Sequence, residues 1–504
     1  MANRSTSRLP PNPRSPFMTT TKFLAAILAT LIALSIVAAI WKPKAAADGR
    51  TPLVWVSDNN PARAAQIAAF NEENPGLDLH LDYANSDPQK IILQCSSGVG
   101  PDILDFGDDQ IESYVASGIL WDVTGAAKKM GFSGRKAGWP GAIDTFTCNG
   151  RQYGFPCNTG AAILIFNKNV FDYFGVPYPA GLMTWEQFIE LAKKVNSHTN
   201  PAGAGGKRIF AVSGLNFRTF FDSLRGEFFN KDGSLNIVNN PELRTALDMH
   251  RDMIFKDRLS PTTVEARQMP GQGGWGSGAS LGAASLNQFA TGKFAMAVTG
   301  HWSLIAFGPA HRQQMEYLKS QGIAPDDLKN PIDRPLRLGA VLVPHFAGRE
   351  PCYHVTSRVA GINARSPRRE EALRFLQYLA GPTYSKLLNE GADFLPGNPK
   401  YASLGVEPGP PDLSRPELHA ATMEAMTHGY VPRRSPFLLA FDVTRVMAAQ
   451  ISRMESNPAI TTDEVLHSAQ KELNTLLRRN LDRDPELLTL FIGRFGKETY
   501  LNLR

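Results

Sequence analysis

Four cysteines in 504 residues are too few to staple a chain of this size. Cys95, Cys148, Cys157 and Cys352 do not make a disulfide framework, and their spacings fit no zinc motif. Only Cys148 and Cys157, at the ends of CNGRQYGFPC, invite a bridge. An Asn149-Gly150 turn would instead pair Cys148 with Arg151 and carry Cys157 about six residues further along. Surplus charge is missing from most of the chain as well. The net charge of +6 lies wholly in residues 1–50, where seven Lys/Arg meet one acid, and the remainder holds 46 groups of each sign. A nucleic-acid binder needs a basic surface that releases counterions, and this body has no such excess.

Catalytic and cofactor signatures are equally scarce. There is no P-loop, no HExxH helix and no paired metal-ligand spacing among the ten histidines. Gly271-x-Gly273-x-x-Gly276 fits the dinucleotide fingerprint, but no strand precedes it and no usable helix follows. Gly278-Ala-Ser280-Leu-Gly282 fits the nucleophile elbow, again without its strand–turn–helix setting. With 43 glycines in the chain, chance matches of this kind are expected. No cofactor or metal is implied. The carboxylates of DILDFGDD (Asp102, Asp105, Asp108, Asp109) read equally as a glycosidase pair, as hydroxyl acceptors or as a solvated loop, since spacing alone measures no separation.

What is present is an ordinary globular composition, 43% hydrophobic and 20% charged, in a chain long enough for two or three domains. Residues 1–22 form a basic tail. FLAAILATLIALSIVAAIW, residues 23–41, is 19 residues without a charge, long enough to span a bilayer. Ala45-Ala46-Ala47 in the following linker (42–51) resembles a cleavage site, and Met18 offers an alternative start to a conventional export signal. Length favours an uncleaved anchor, and either reading exports the body.

The body opens with a βαβ pattern. LVWV (53–56) is a short apolar strand. A helix follows with Ala64, Ile67, Ala68 and Phe70 on one face and Pro75-Gly76 as its stop, and LDLHLDY (77–83) alternates as a second strand. GPDILDF then enters a third, so a parallel sheet covered by helices is expected. Thr184-Trp-Glu-Gln187 and Thr461-Thr-Asp-Glu464 are capping boxes. Ser366-Pro367 starts a helix whose buried face is Ala372, Leu373, Phe375, Leu376 and Leu379. Residues 268–285 and 395–416 are loops rich in glycine and proline. GKFAMAVTGHWSL (292–304) reads as a half-buried strand that stops at Gly300 and sets His301 and Trp302 directly behind it. The indole either closes a core or offers a flat face to a ligand.

Together, LVWV, GPDILDF…YVASGIL, YGFPCNTGAAILIFNK, TWEQFIELAKKV, GKFAMAVTGHW, AGINARSPRREEALRFLQYL and HAATMEAM…DEVLHSAQKELNTLL resemble, in order and spacing, the extracellular solute-binding proteins of ABC sugar importers, the group that includes maltose-binding protein. The resemblance covers about residues 52–480. It implies an α/β, two-lobed periplasmic-binding-protein fold (type II) with discontinuous lobes: 52–157 with 360–428, and 158–359 with 429–504. It implies a non-catalytic protein that captures a small carbohydrate and delivers it to ABC permease subunits. The alternatives are a membrane-anchored sensor using the same cleft and, more distantly, a glycoside hydrolase.

Sugar rings stack their C–H faces on aromatics and satisfy their hydroxyls with planar carboxylates and amides. By the resemblance, Trp302 is the stacking indole, Asn59 a polar contact after the first strand, and Phe106 and Asp109 an aromatic and an acidic contact after the third. Asn60, Asp108, Asn158, Trp275 and Asp393 complete the candidate ligand set. The pattern also departs from maltose-binding protein. Gln110 replaces an arginine, Gly160 replaces a glutamate in the first interlobe crossing, and DRDPELLTLFIGRFGKETYLNLR runs past the usual end. The changes at Gln110 and Gly160 argue against maltodextrin specificity.

Overall fold

The computed structural model describes residues 25, 27–33, 49–83, 87–199, 208–262, 265–266 and 283–503. Trp275, most of the glycine-rich loop and most of residues 23–41 lie outside them. In chain order the strands are β1 (Thr51–Val56), β2 (Leu77–Asp82), β3 (Ile103–Phe106), β4 (Thr147–Cys148), β5 (Arg151–Gln152), β6 (Gly154–Gly160), β7 (Ile163–Asn167), β8 (Phe210–Ser213), β9 (Phe294–Thr299), β10 (Leu338–Leu342), β11 (Tyr353–His354), β12 (Thr356–Ile362) and β13 (Gly429–Tyr430). They form one five-stranded sheet, β2-β1-β3-β12-β6, one four-stranded sheet, β10-β7-β9-β8, and two small pairs, β11-β13 and β4-β5.

The opening βαβ unit folds as its pattern predicts, with β1 parallel to β3 and beside β2. Alternate residues feed cores on opposite faces of this sheet: Ile103 joins Leu53, Trp55 and Phe375, while Leu104 joins Tyr114 and Phe146. The intervening helix, Ala62–Glu73, is rotated from its expected face. Ala64 and Ala68 are exposed, and Arg63, Gln66 and Phe70 are buried. The rotation follows from charge, because Arg63 is drawn inward onto two carboxylates described below.

The second sheet has the same two-faced construction. Ile163 and Ile165 of β7 face one cluster and Leu164 and Phe166 the other. Every residue of β9 is buried, so this strand is fully rather than half buried. Its alternation with small residues reflects two covered faces of unequal depth. Both capping boxes form: Thr461 and Glu464 cap each other's backbone, and Thr184 N–H donates to Gln187 Oε1 at 2.9 Å. Ser366 instead stands outside its helix, which begins at Arg369. Its hydroxyl is held by Asp102 at 2.6 Å.

β6 and β12 run antiparallel along their whole length and join the two sheets' regions. Their register slips between Arg358 and Val359: Arg358 faces Asn158 and Val359 faces Pro156, which leaves Cys157 as an unpaired bulge. The Asn149-Gly150 turn has positive φ at both residues and pairs Cys148 with Arg151, as its sequence dictates. All four cysteines are free, with Cys157 buried in the bulge.

Two further placements concern the C-terminal third of the chain. Helix Arg415–Thr427, assigned with the first lobe, puts Leu418 and Ala421 into the cluster of Ile163, Phe210 and Leu338 on the second sheet. The C-terminal stretch forms helices Pro485–Phe495 and Lys497–Leu501, which build a small separate core around Phe437, Leu477, Leu481 and Phe491.

Candidate functional site

The mouth of β1 is Ser57-Asp58-Asn59-Asn60, with Trp55 buried directly beneath. Around it lies a cluster of three carboxylates and two guanidiniums. Arg63, 1% exposed, reaches Asp58 and Asp393 at 2.8 Å each, and donates to Gln66 at 2.8 Å. Arg358, on β12 opposite the bulge, reaches Asp105 at 2.7 Å and donates to Ser57 at 2.6 Å. Asp105 also accepts the Trp55 indole N–H at 2.6 Å. Both guanidiniums lie over the Trp55 ring, 5.9 and 5.8 Å from its centroid. Burial opposes the charge on Asp58, but the fields of Arg358 and Arg63 prevail and hold its carboxyl down at about 2. For Asp105 burial prevails and pushes the carboxyl up.

Asp393 is spent inside this cluster. It is 4% exposed, and its Oδ1 accepts the side-chain amide of Asn158 at 3.0 Å. The structure thus joins two expected ligand residues, but to each other. Asn60 is also buried. Its Oδ1 accepts the Ala62 N–H at 2.9 Å, and its Nδ2 has no hydrogen-bond partner. Asn59 is exposed beside it.

On either side of β3 the carboxylates separate by role. Asp102 is buried and accepts from Val54 N–H at 3.0 Å and from Ser366, which makes it a structural strut. Asp108 is bonded to His354 Nε2 at 3.2 Å, and the other face of that imidazole lies 3.7 Å from Asp222. Arg218 pairs with Asp222 at 2.7 Å, and Tyr430 O–H donates to it at 3.1 Å. Asp109 remains partly exposed, and burial with the adjacent Asp108 charge pushes its carboxyl up to about 6. Phe106 is 2% exposed and packs edge-on against Tyr114 at 5.8 Å, in the cluster of Leu104 and Phe146. Alternation along β3 turns its ring inward.

Trp302 follows β9 in a short 3-10 turn, partly exposed above Phe289, Leu304 and Phe307. His301 points the other way. It is fully buried, with its ring 5.3 Å from that of His419, and burial pushes its pKa down to about 3, so it stays neutral. Gly300 is required here, because a Cβ would lie 2.5 Å from Trp302 and 2.2 Å from Phe394. A groove of about 1210 Å³ lies elsewhere, lined by Lys128, Arg135, Cys148, Asn149 and Arg434 among others, and none of the eight expected residues that the structure describes borders it.

Sequence reasoning overlooked Arg63, Arg358, His354, Asp222 and Phe394. A signal existed for two of them. Arg63 is the only charge between Pro61 and Asn71, and Arg358 interrupts an apolar strand. The histidine–carboxylate group is assembled from residues more than 100 positions apart and leaves no local pattern.

Residues 56–386 match the family described as bacterial extracellular solute-binding protein. A lactose-binding protein of Rhizobium radiobacter is 28% identical over 218 residues, 42% of this chain and 50% of that protein, so the match spans half its length. An ABC substrate-binding protein from Listeria monocytogenes, solved with cycloalternan, superposes with a TM-score of 0.66 at 19% identity, covering 85% of this chain and 99% of that one. Maltose-bound MalE3 of T. maritima gives 0.63 at 17% identity, covering 84% and 100%. At such identities the superpositions establish a shared fold, two-lobed and mixed α/β, while the match over more than half of the sequence establishes descent. This chain belongs to the bacterial extracellular solute-binding proteins.

Proposed function

We propose that the protein is exported, captures a sugar or oligosaccharide between its two lobes, and delivers it to an ABC permease without chemical change. The observation that carries this reading is Trp302, a partly exposed indole held on a rigid strand end. Asn59, Asn60, Asp108 and Asp109 supply the amides and carboxylates that hydroxyls require, and Trp275 in the glycine-rich loop remains a further contact in this reading. Relatives named for lactose and for arabino-oligosaccharide support the ligand class. Contacts made to both lobes only when they approach would favour the closed state and signal occupancy to the permease. Against hydrolysis, Asp102 and Asp105 are engaged in internal hydrogen bonds and ion pairs.

The same proposal places residues 23–41 as the membrane tether. The reading rests on the length of the uncharged run at 23–41. Among the described residues no helix is long and apolar enough to cross a membrane. Fractionation of native cells followed by N-terminal sequencing tests the tether, and a soluble form beginning near Asp48 would refute it. Titration calorimetry with lactose, maltotriose and arabinotriose, then chromatography of the recovered sugar, tests the function. Saturable heat and unchanged sugar are expected, and accumulating product would overturn the non-catalytic reading.

A further inference from the structure

Phe394 adopts a left-handed backbone, φ +65°, and so does Ala392 at +57°. Neither is glycine, and two such residues flanking one aspartate are unfavourable unless the surroundings impose them. The surroundings do so from both sides. Asp393 is buried and fixed by Arg63 at 2.8 Å and Asn158 at 3.0 Å. Leu395 exchanges two backbone hydrogen bonds of 2.9 Å with Thr159 of β6. The peptide between these anchors has no freedom to relax.

The ring of Phe394 is delivered into a slot that only glycines leave open. A Cβ at Gly160 would lie 2.2 Å from its Cδ1, and a Cβ at Gly300 would lie 2.2 Å from its Cζ. The same point at Gly300 is 2.5 Å from Trp302 Cδ1, so the two rings are neighbours. Both are partly exposed. A ring needed only to fill the junction would be buried there, as Phe155 and Phe375 are, and would not require a strained backbone. A Cβ at Gly391 would lie 3.5 Å from that of Ala62, which brings the segment alongside the turn holding the unpartnered amide of Asn60.

From this geometry we propose that Phe394 is a second stacking ring of the ligand site and determines its specificity, forming with Trp302 a two-ring platform for the apolar face of a pyranose. This rests on the sugar-binding reading. Glycine at 160 and 300 is then a requirement of the platform, and the left-handed backbone at Phe394 is what holds its side chain at the ligand. The platform reads ring shape, whereas Asn60 and its neighbours read hydroxyls.

The test measures binding of lactose, maltotriose and arabinotriose to the full-length protein and to F394A, F394L, F394Y and G300A. F394Y, which keeps the ring, is expected within about threefold of wild type for any sugar that binds. F394L, which keeps bulk without a π face, is expected at least tenfold weaker, and the ratio of affinities among the sugars should change. G300A should match F394L while retaining the ring, because its methyl expels it. F394A is expected to be the weakest, and should it fail to melt cooperatively, F394L and F394Y decide. Wild-type affinity and unchanged ratios in F394L, alongside weakened binding in Trp302→Ala, would overturn the platform and leave the sugar reading standing. If none of the three sugars binds wild type, the sugar reading fails for them and this inference falls with it.

Discussion

Replacing Arg63 by methionine removes one cation from a cluster in which Asp393 has almost no access to water. Methionine keeps most of the volume, so little of the effect will come from a cavity. The loss is electrostatic: Asp393 is left with Asn158 and with Arg358, whose nearer nitrogen is 3.5 Å away. Stranding one member of a buried pair costs about 3–5 kcal/mol. Against an unfolding entropy of about 0.4 kcal/mol/K for a lobe of about 200 residues, that is a fall in melting temperature of about 10 °C. Differential scanning calorimetry of R63M reads it directly. The double variant R63M/D393L removes the stranded charge along with its partner, and should recover at least about 2 kcal/mol relative to the sum of the singles. An R63M transition within 2 °C of wild type, or a strictly additive double variant, would refute the assignment of these charges as mutually dependent.

Asp58 titrates at about 2 in the folded protein, below its unfolded value, because Arg358 and Arg63 outweigh its burial. Its contribution is therefore present above about pH 4 and disappears as pH falls toward 2, so D58N should flatten melting temperature against pH in that window. A D58N profile parallel to wild type there would contradict the pairing. Trp302→Ala should weaken sugar binding by about 1–3 kcal/mol with little change in melting, and loss of the cooperative melt with retained affinity would assign the indole to the core. The free thiols predict that denaturation without reductant exposes four titratable cysteines and that dithiothreitol leaves the melt unchanged. Two thiols fewer would establish a Cys148–Cys157 bridge.

The sheets were legible because periodicity and capping act locally. β1, the capping boxes and the Asn149-Gly150 hairpin each carry their instruction within a few residues. The site was less legible, for a reason visible in Phe106 and Arg63. A strand's two faces look alike in sequence when both are covered, so alternation could not say which side of β3 meets the ligand. Burial of a charge likewise depends on partners hundreds of residues away: Arg63 needs Asp393, and Arg358 needs Asp58 and Asp105. The apolar residues of the helix at 415–427 fit either surface in sequence, and only the packing shows Leu418 and Ala421 against Ile163, Phe210 and Leu338.

The bulge at Cys157 makes the paired strands β6 and β12 a notched flexure. A continuous ladder resists folding across its width with every rung, whereas one missing rung gives it a place to yield. Pro156 beside the notch donates no hydrogen bond, so the weak point is sharply located. Arg358 sits opposite that notch, gripping Ser57 and Asp105 at the mouth of β1. The notch is therefore tied to the first strand's exit through a single guanidinium, which links the place where the ladder can yield to Ser57, two residues before the exposed Asn59.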